Sequence, residues 1–424
     1  MPAANAEIQP MTETAHRGAF FRQSGWLMIA NIAGGVLMWA VHMLSKATGP
    51  AEYGVYIAFL AVAMCIPTIP LQMVLAHQTA QMLATNRERE LRGMIRMVWL
   101  GTSLLWLLGC VVVLILQGTI LAQWKIANPA GLWVTLLVVL LSLWLPIFWG
   151  ALQGRQNFLW LGWSMMLNGV GRLTVAALAV LVLGGSAAGM MTGVLAGLLV
   201  GVAIALWQTR TLWLGPSVPF DWRSLLRQVI PLMLGFGAFQ FLFTADTMFA
   251  KAYFDEDTAG FYGSAGTLSR ALMWLVGPLA AVMFPRIVHS AAKAEKTDLM
   301  GIVLLGTGIL AVAGAASLSV LGPLIVRFVS GQKFVAVASS LLPWYAGAMV
   351  PLALANVLLN NSLARSSFRI VPALCVLAPA YGFALTRFHS TPVMVLKTLA
   401  VFNLLLLIIC VWFTWGPKRL KSEV

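Results

Sequence analysis

Met43-Leu44-Ser45-Lys46, followed by Gly49-Pro50-Ala51-Glu52-Tyr53 and then Gly54-Val55-Tyr56, has a counterpart in the second half of the chain. There Met248-Phe249-Ala250-Lys251 runs through Asp255-Glu256-Asp257 into Gly260-Phe261-Tyr262. Each copy reads as a hydrophobic helix ending in a lysine, a short polar loop, and a Gly-x-Tyr that opens the next hydrophobic helix. A long internal repeat in a hydrophobic chain predicts two similar helical bundles around a site between them.

Composition sets the solvent. Of 424 residues, 60% are hydrophobic and 9% charged, with a mean hydropathy of +0.88. Soluble domains carry roughly 25% charged residues, so this chain cannot hide its apolar surface from water and its solvent is lipid. The net charge of +14 reads as basic loop anchors, and a nucleic-acid role is rejected. Cys65, Cys110, Cys375 and Cys410 lie inside hydrophobic runs without metal-ligand spacing and read as small apolar residues. The stretch up to Gly18 lacks the basic and cleavage features of a signal peptide, so the first hydrophobic run is expected to remain as an anchor.

A span takes about 20 apolar residues. Twelve runs qualify: 20–45, 54–83, 97–119, 131–153, 158–183, 187–208, 229–252, 261–285, 299–319, 340–363, 370–388 and 394–415. The fold expected is all-α, a polytopic membrane protein of about twelve transmembrane helices in two six-helix lobes related by the repeat. Residues 1–19 form a polar N-terminus, 20–208 the first lobe, 209–228 a linker, 229–415 the second lobe, and 416–424 a basic tail. Leu321–Val329 reads as a short interfacial helix. Lys and Arg crowd one set of loops, Arg87, Arg89, Arg92, Arg96, Arg155, Arg210, Arg223 and Arg227 among them. That bias places both termini in the cytoplasm.

Charge inside a span is costly and marks function by default. Ser164, Asn168 and Arg172 recur at four-residue spacing in the fifth span, a polar stripe ending in a cation. Gly263, Gly266, Thr267 and Arg270 share a side of the eighth span. Gln240, Thr244, Thr247 and Lys251 fall in a narrow arc of the seventh. Asp246, the one acid deep in any span, lies about 120° from that arc. It is a candidate for coupling, but charge balance for Arg270 is the stronger reading. Asn31, His42 and Ser45 fall near one face of the first span with Ser24, and Lys46 closes it. His42 could titrate near neutrality or be a hydrogen-bonded structural group. The inventory is lopsided: Arg172, Arg270, Lys46 and Lys251 stand against one acid. A cavity so lined holds an anion such as phosphate or pyrophosphate, and a lipid-facing exit suits an anionic lipid with a polar head. The expected substrate-binding set is Arg172, Arg270, Lys251, Lys46, Asn168, Gln240, Thr244 and Asn31, with Asp246 and His42 for coupling or charge balance. Asp255-Glu256-Asp257 reads as a solvated face. The sequence shows no metal or cofactor signature, no catalytic triad and no nucleotide-binding loop, so a non-enzymatic role is expected.

The chain resembles bacterial polysaccharide flippases of the Wzx type, within the multidrug/oligosaccharidyl-lipid/polysaccharide exporter superfamily. The resemblance rests on Gly49-Pro50-Ala51-Glu52-Tyr53-Gly54-Val55-Tyr56, Gln153-Gly154-Arg155-Gln156-Asn157-Phe158, Ala245-Asp246-Thr247, Ala259-Gly260-Phe261-Tyr262-Gly263-Ser264-Ala265 and Phe284-Pro285-Arg286. It implies a V of two lobes with alternating access. It also implies transfer of undecaprenyl-pyrophosphate-linked oligosaccharide across the inner membrane for O-antigen, capsule or exopolysaccharide synthesis. The implied partners are that lipid-linked oligosaccharide, membrane lipid, and a polysaccharide polymerase with other assembly proteins. Three other readings stand beside it, one of them a non-transporting scaffold in a glycan assembly complex. A cation-coupled multidrug exporter of the same superfamily would want acids in its cavity. A membrane polymerase or ligase would want a large exterior loop with catalytic residues.

Overall fold

The computed structural model describes the backbone of residues 13–126, 128–292, 299–364 and 368–415, and the side-chain surroundings of 25–126, 128–276, 300–363 and 368–415. Eleven helices among the described residues are long and apolar enough to cross a bilayer: α1 Gly25–Thr48, α2 Pro50–Ala84, α3 Glu88–Gln123, α4 Ala130–Gly154, α5 Phe158–Val182, α6 Ala187–Gln208, α7 Trp222–Tyr253, α9 Met300–Val320, α10 Gln332–Leu363, α11 Phe368–Arg387 and α12 Pro392–Trp415. Between α7 and α9 stands α8, Glu256–Ala292, 37 residues long. The protein is an all-α polytopic membrane protein of about twelve spanning helices. A short helix, Gly322–Val329, occupies the stretch expected to form one.

Contacts sort the helices into two groups. Within the first half, α1 packs on α5, α5 on α6, α6 on α4, and the second half of α2 on α4. Within the second, α10 packs on α8, α9 and α12, and α7 on α11. Small residues bring helices close where lipid offers no hydrophobic drive between them. At Gly197 of α6, an added Cβ would stand 2.4 Å from the Asn168 carbonyl of α5. The linker after α6 is docked on α3, where Arg96 donates to the carbonyls of Trp213 and Gly215, each at 2.6 Å.

The expected span 54–83 is two helices in the structure. The first ends at Met64 and the second starts at Thr68. Pro67 explains the break: it has no N–H to donate and disfavours a helical residue before it. Membrane-depth backbone must still be satisfied. The freed Met64 carbonyl accepts from Gln240 Nε2 of α7 at 2.7 Å, and Cys65 Sγ lies 3.1 Å from Thr244 Oγ1. The first half of α2 packs chiefly on α8 and α7, so it belongs by contact to the second group.

At the end of the bundle that carries the turns at 49 and 254, the first half of α2 is pressed against α8, and hydrogen bonds beside it join the two groups. An added Cβ on Gly260 would fall 2.0 Å from the Pro50 carbonyl, and one on Gly54 would fall 2.9 Å from the Gly260 nitrogen. Lys125 Nζ donates to the Phe254 carbonyl at 3.0 Å, and Glu52 accepts from the Ala187 N–H at 2.9 Å. Asp255, just before α8, caps it by accepting from the Thr258 N–H at 2.9 Å. That hydrogen bond holds its carboxyl below the ordinary carboxylate range.

Gly260→Ala is expected to destabilise the protein by about 1–3 kcal/mol through overpacking. Gly237→Ala, whose Cβ would meet only Pro67 Cγ at 3.6 Å, should stay near wild type. Thermal unfolding in detergent reads both. Asp255→Ala should cost about 1 kcal/mol and Asp255→Asn much less, because Asn also caps. With the folded value depressed, the carboxylate's contribution is present at neutral pH and fades as the pH falls through that lowered value. Melting curves of wild type and Asp255→Ala should therefore converge in acid.

Candidate functional site

Asp246 is fully buried in α7 and carries three partners. Arg270 of α8 donates to its Oδ1 at 2.7 Å, Tyr262 of α8 donates to Oδ2 at 2.9 Å, and Tyr345 of α10 donates to the same oxygen. Arg270 is also held by the Phe243 carbonyl at 2.9 Å and Thr247 Oγ1 at 2.8 Å, with the rings of Phe243 and Tyr345 at 5.5 and 5.4 Å. The cation and the acid cancel inside one tightly bonded group that ties α7, α8 and α10 together. The geometry of Asp246 is that of charge balance for Arg270.

A second cluster lies across α2. His42 Nδ1 of α1 is 2.9 Å from Tyr53 Oη, and that hydroxyl is 3.2 Å from Thr267 Oγ1 of α8, so the chain of contacts crosses between the helix groups. One turn along α2, Tyr56 Oη accepts from Arg172 at 3.0 Å. Arg172 is half-buried, and its Nε has no hydrogen-bond partner. A guanidinium has five N–H donors, so most of this group's capacity is unspent. No acid among the described residues is bonded to it.

Lys251 of α7 is 1% exposed, and its ammonium has no hydrogen-bond partner among the described residues. Taking such a charge out of water without a partner costs several kcal/mol. Lys251 lies toward the closed 49/254 end, three residues before the Phe254 carbonyl held by Lys125. Lys46 is exposed near that end, with its ammonium 5.4 Å from the Phe328 ring centre.

The remaining expected residues take separate places. Gln240 and Thr244 serve the break in α2. Asn168 is 4% exposed and packs against Gly197, while Ser164 donates to the Gly201 carbonyl at 2.8 Å and accepts from Trp149 Nε1 at 2.7 Å. The polar stripe of α5 thus faces α6 and α4 before Arg172 turns toward Tyr56. Asn31 is exposed on α1 beside a cavity near Gln72 and Gln153. Arg172, His42, Tyr53, Tyr56 and Thr267 are brought together; Lys46, Asn31 and Asn168 stand apart from them.

Sequence reasoning named no tyrosine as a site residue. Tyr53, Tyr56, Tyr262, Tyr345 and Tyr381 are all fully buried, out of 6 in the chain. The signal was present: a phenol deep in a span needs a partner for its hydroxyl, and three of these stand in the two repeated Gly-x-Tyr stretches.

The fold is shared with solved membrane transporters. An inward-facing multidrug resistance MATE family transporter of the MOP superfamily superposes with a TM-score of 0.71 at 14% identity, over 90% of this chain and 93% of that one. The lipid II flippase MurJ in an inward closed conformation gives 0.70 at 12% identity, over 93% and 87%. A MATE transporter from Vibrio cholerae gives 0.59 at 15%, over 95% and 98%. At these identities the likeness is one of fold. No curated protein sequence matches the chain. The profile of the family described as polysaccharide biosynthesis protein matches residues 20–290, well over half of it, and the chain belongs to that family.

Arg270→Ala leaves Asp246 buried with no cation and is expected to cost about 3–5 kcal/mol. It should lower both the melting temperature and the membrane level. Arg172→Ala, which orphans no acid, should leave both close to wild type. Fluorescence-detected size exclusion of the two variants separates these outcomes.

Proposed function

We propose that the protein is a flippase that moves a lipid-linked glycan with an anionic head, undecaprenyl-pyrophosphate-linked oligosaccharide, across the inner membrane for surface polysaccharide synthesis. One observation carries the reading. The single deep acid is already neutralised by Arg270, whereas Arg172 and Lys251 keep unspent positive charge near the seam between helix groups. Such a seam attracts phosphate oxygens. A carrier of organic cations would need the reverse. Membership of the polysaccharide biosynthesis family and a fold shared with a lipid II flippase support the same direction.

In this mechanism the two lobes, residues 20–208 and 229–415, rock about the seam. Both termini lie in the cytoplasm, so the closed 49/254 end faces outward. The diphosphate enters from the cytoplasmic leaflet and meets Arg172. Opening the contacts that join the groups at that end, Lys125 to Phe254 and Glu52 to Ala187, then uncovers Lys251 and releases the head outward. Separation of His42 from Tyr53 accompanies that opening, and Thr267 keeps the phenol. Asp246 holds Arg270 fixed throughout. The delivered unit passes to a polymerase and other assembly proteins. The protein itself makes and breaks no covalent bond.

Deleting the gene should trap finished lipid-linked glycan on the cytoplasmic leaflet and abolish surface polysaccharide. Unpolymerised units on the outer leaflet would instead indicate a polymerase or ligase, and normal glycan on both leaflets a drug exporter. Loss of a charged hydrogen bond, ~1.5–3 kcal/mol, corresponds to about ten- to a hundred-fold. Arg172→Ala is therefore expected to reduce surface polysaccharide by about that factor at normal membrane level, with Arg172→Lys intermediate. Normal export by Arg172→Ala would overturn the assignment of the anion to this residue.

A further inference from the structure

The first half of the chain contains a cavity that the charged seam does not use. It lies between two helix pairs, α1 with α5 and the second half of α2 with α4. Its volume is about 390 Å³, and its lining includes Asn31, Gln72, Gln153, Phe158 and Met165. Gln153 and Phe158 flank the turn at 155–157, so the cavity sits at the end of the bundle opposite the closed one.

The chemistry of its lining is selective. Among the described residues of the lining, the polar side chains are the three carboxamides and none is charged, while Leu27, Met28, Phe158, Leu161 and Met165 are apolar. Gln72 Nε2 donates to Gln153 Oε1 at 3.0 Å, which leaves the Gln72 carbonyl and the Gln153 amide nitrogen with capacity to spare. Asn31 makes no side-chain hydrogen bond to the described residues and offers both a donor and an acceptor. A phosphate would call for Arg or Lys, and an alkyl tail would pack on the apolar residues but leave the spare amide donors and acceptors unmet, which is costly. A sugar hydroxyl both donates and accepts, and carboxamides answer both needs without charge. Phe158 and Met165 supply the apolar surface for the C–H face of a ring. The volume falls at the small end of ligand pockets, ~300–1,000 Å³, which suits one ring and not a whole oligosaccharide.

We propose that this cavity is a subsite for one uncharged sugar residue of the transported glycan, filled at the loading end while the diphosphate is held at Arg172. The proposal rests on the transport reading above. It gives Asn31, Gln72 and Gln153 a role in choosing the glycan, separate from the role of the cations in holding the lipid head.

The test is binding to the purified full-length protein in detergent. The probes are undecaprenyl diphosphate alone and the same lipid bearing N-acetylglucosamine or galactose. Wild type should bind at least one sugar-bearing lipid about tenfold more tightly than the bare lipid, the scale of one or two hydrogen bonds. Asn31→Leu/Gln153→Leu should bind all three lipids alike, with bare-lipid affinity unchanged, which also shows that the variant is folded. Asn31→Leu alone, at an exposed position, should lose part of the preference. If wild type binds all three equally, or the variants weaken all three together, the subsite is wrong and the transport reading stands. If wild type binds none of them, the transport reading falls and the subsite falls with it.

Discussion

A carboxylate and a guanidinium 2.7 Å apart, on neighbouring helices, the acid fully buried and the arginine nearly so, set the terms for the rest of the molecule. An ion in hydrocarbon must find its partners within the protein. Asp246 does so with a cation and two phenols, and Arg270 with an acid, a hydroxyl and a carbonyl. Three helices are fixed by that one requirement. The group is held because the acid and the cation meet each other's needs within the protein. The two arginines within spans therefore differ in kind. Among the described residues Arg172 has one phenol and no acid as partners, and its Nε is unbonded.

The same requirement governs the backbone. Where Pro67 interrupts α2, the exposed carbonyl is met by a side chain of α7, from the other half of the chain. A break that would be ruinous against lipid becomes a cross-connection. Tyr53 and Tyr56 do similar work along the seam, presenting apolar rings to their neighbours and hydroxyls to polar partners. Tyr53 touches His42 on one side and Thr267 on the other, and so links helices far apart in the chain.

The helices were largely legible in the sequence, because a span is long, continuous and apolar, and lipid tolerates little else. The short helix at Gly322–Val329 could be read from its own brief run. The break in α2 was not seen, although Pro67 stands in plain view: hydropathy averages over a proline, and the carbonyl it frees is invisible until Gln240 is placed beside it. The wheel position of Asp246 pointed to Arg270, since both lie on short-range helical geometry. The stripe Ser164–Asn168–Arg172 was legible as polar. Which neighbour it faces depends on α6, whose glycines let two helices approach closely enough to absorb Ser164 and Asn168. The phenols were missed because single residues deep in apolar runs show no periodicity.

Repetition in the sequence divides this chain near residue 209, but its packing divides elsewhere. The segment Pro50–Met64 is covalently part of the first repeat and is seated mainly on α7 and α8 of the second. A half ending at the linker would expose Tyr53, Tyr56 and their apolar surroundings, and a half beginning there would have an empty seat for a missing helix. The two repeats are thus not self-sufficient units joined by a tether. Each completes the other, so neither has a native surface of its own to diverge independently. Separate genes for the halves would be viable only if the products assembled as soon as they were made.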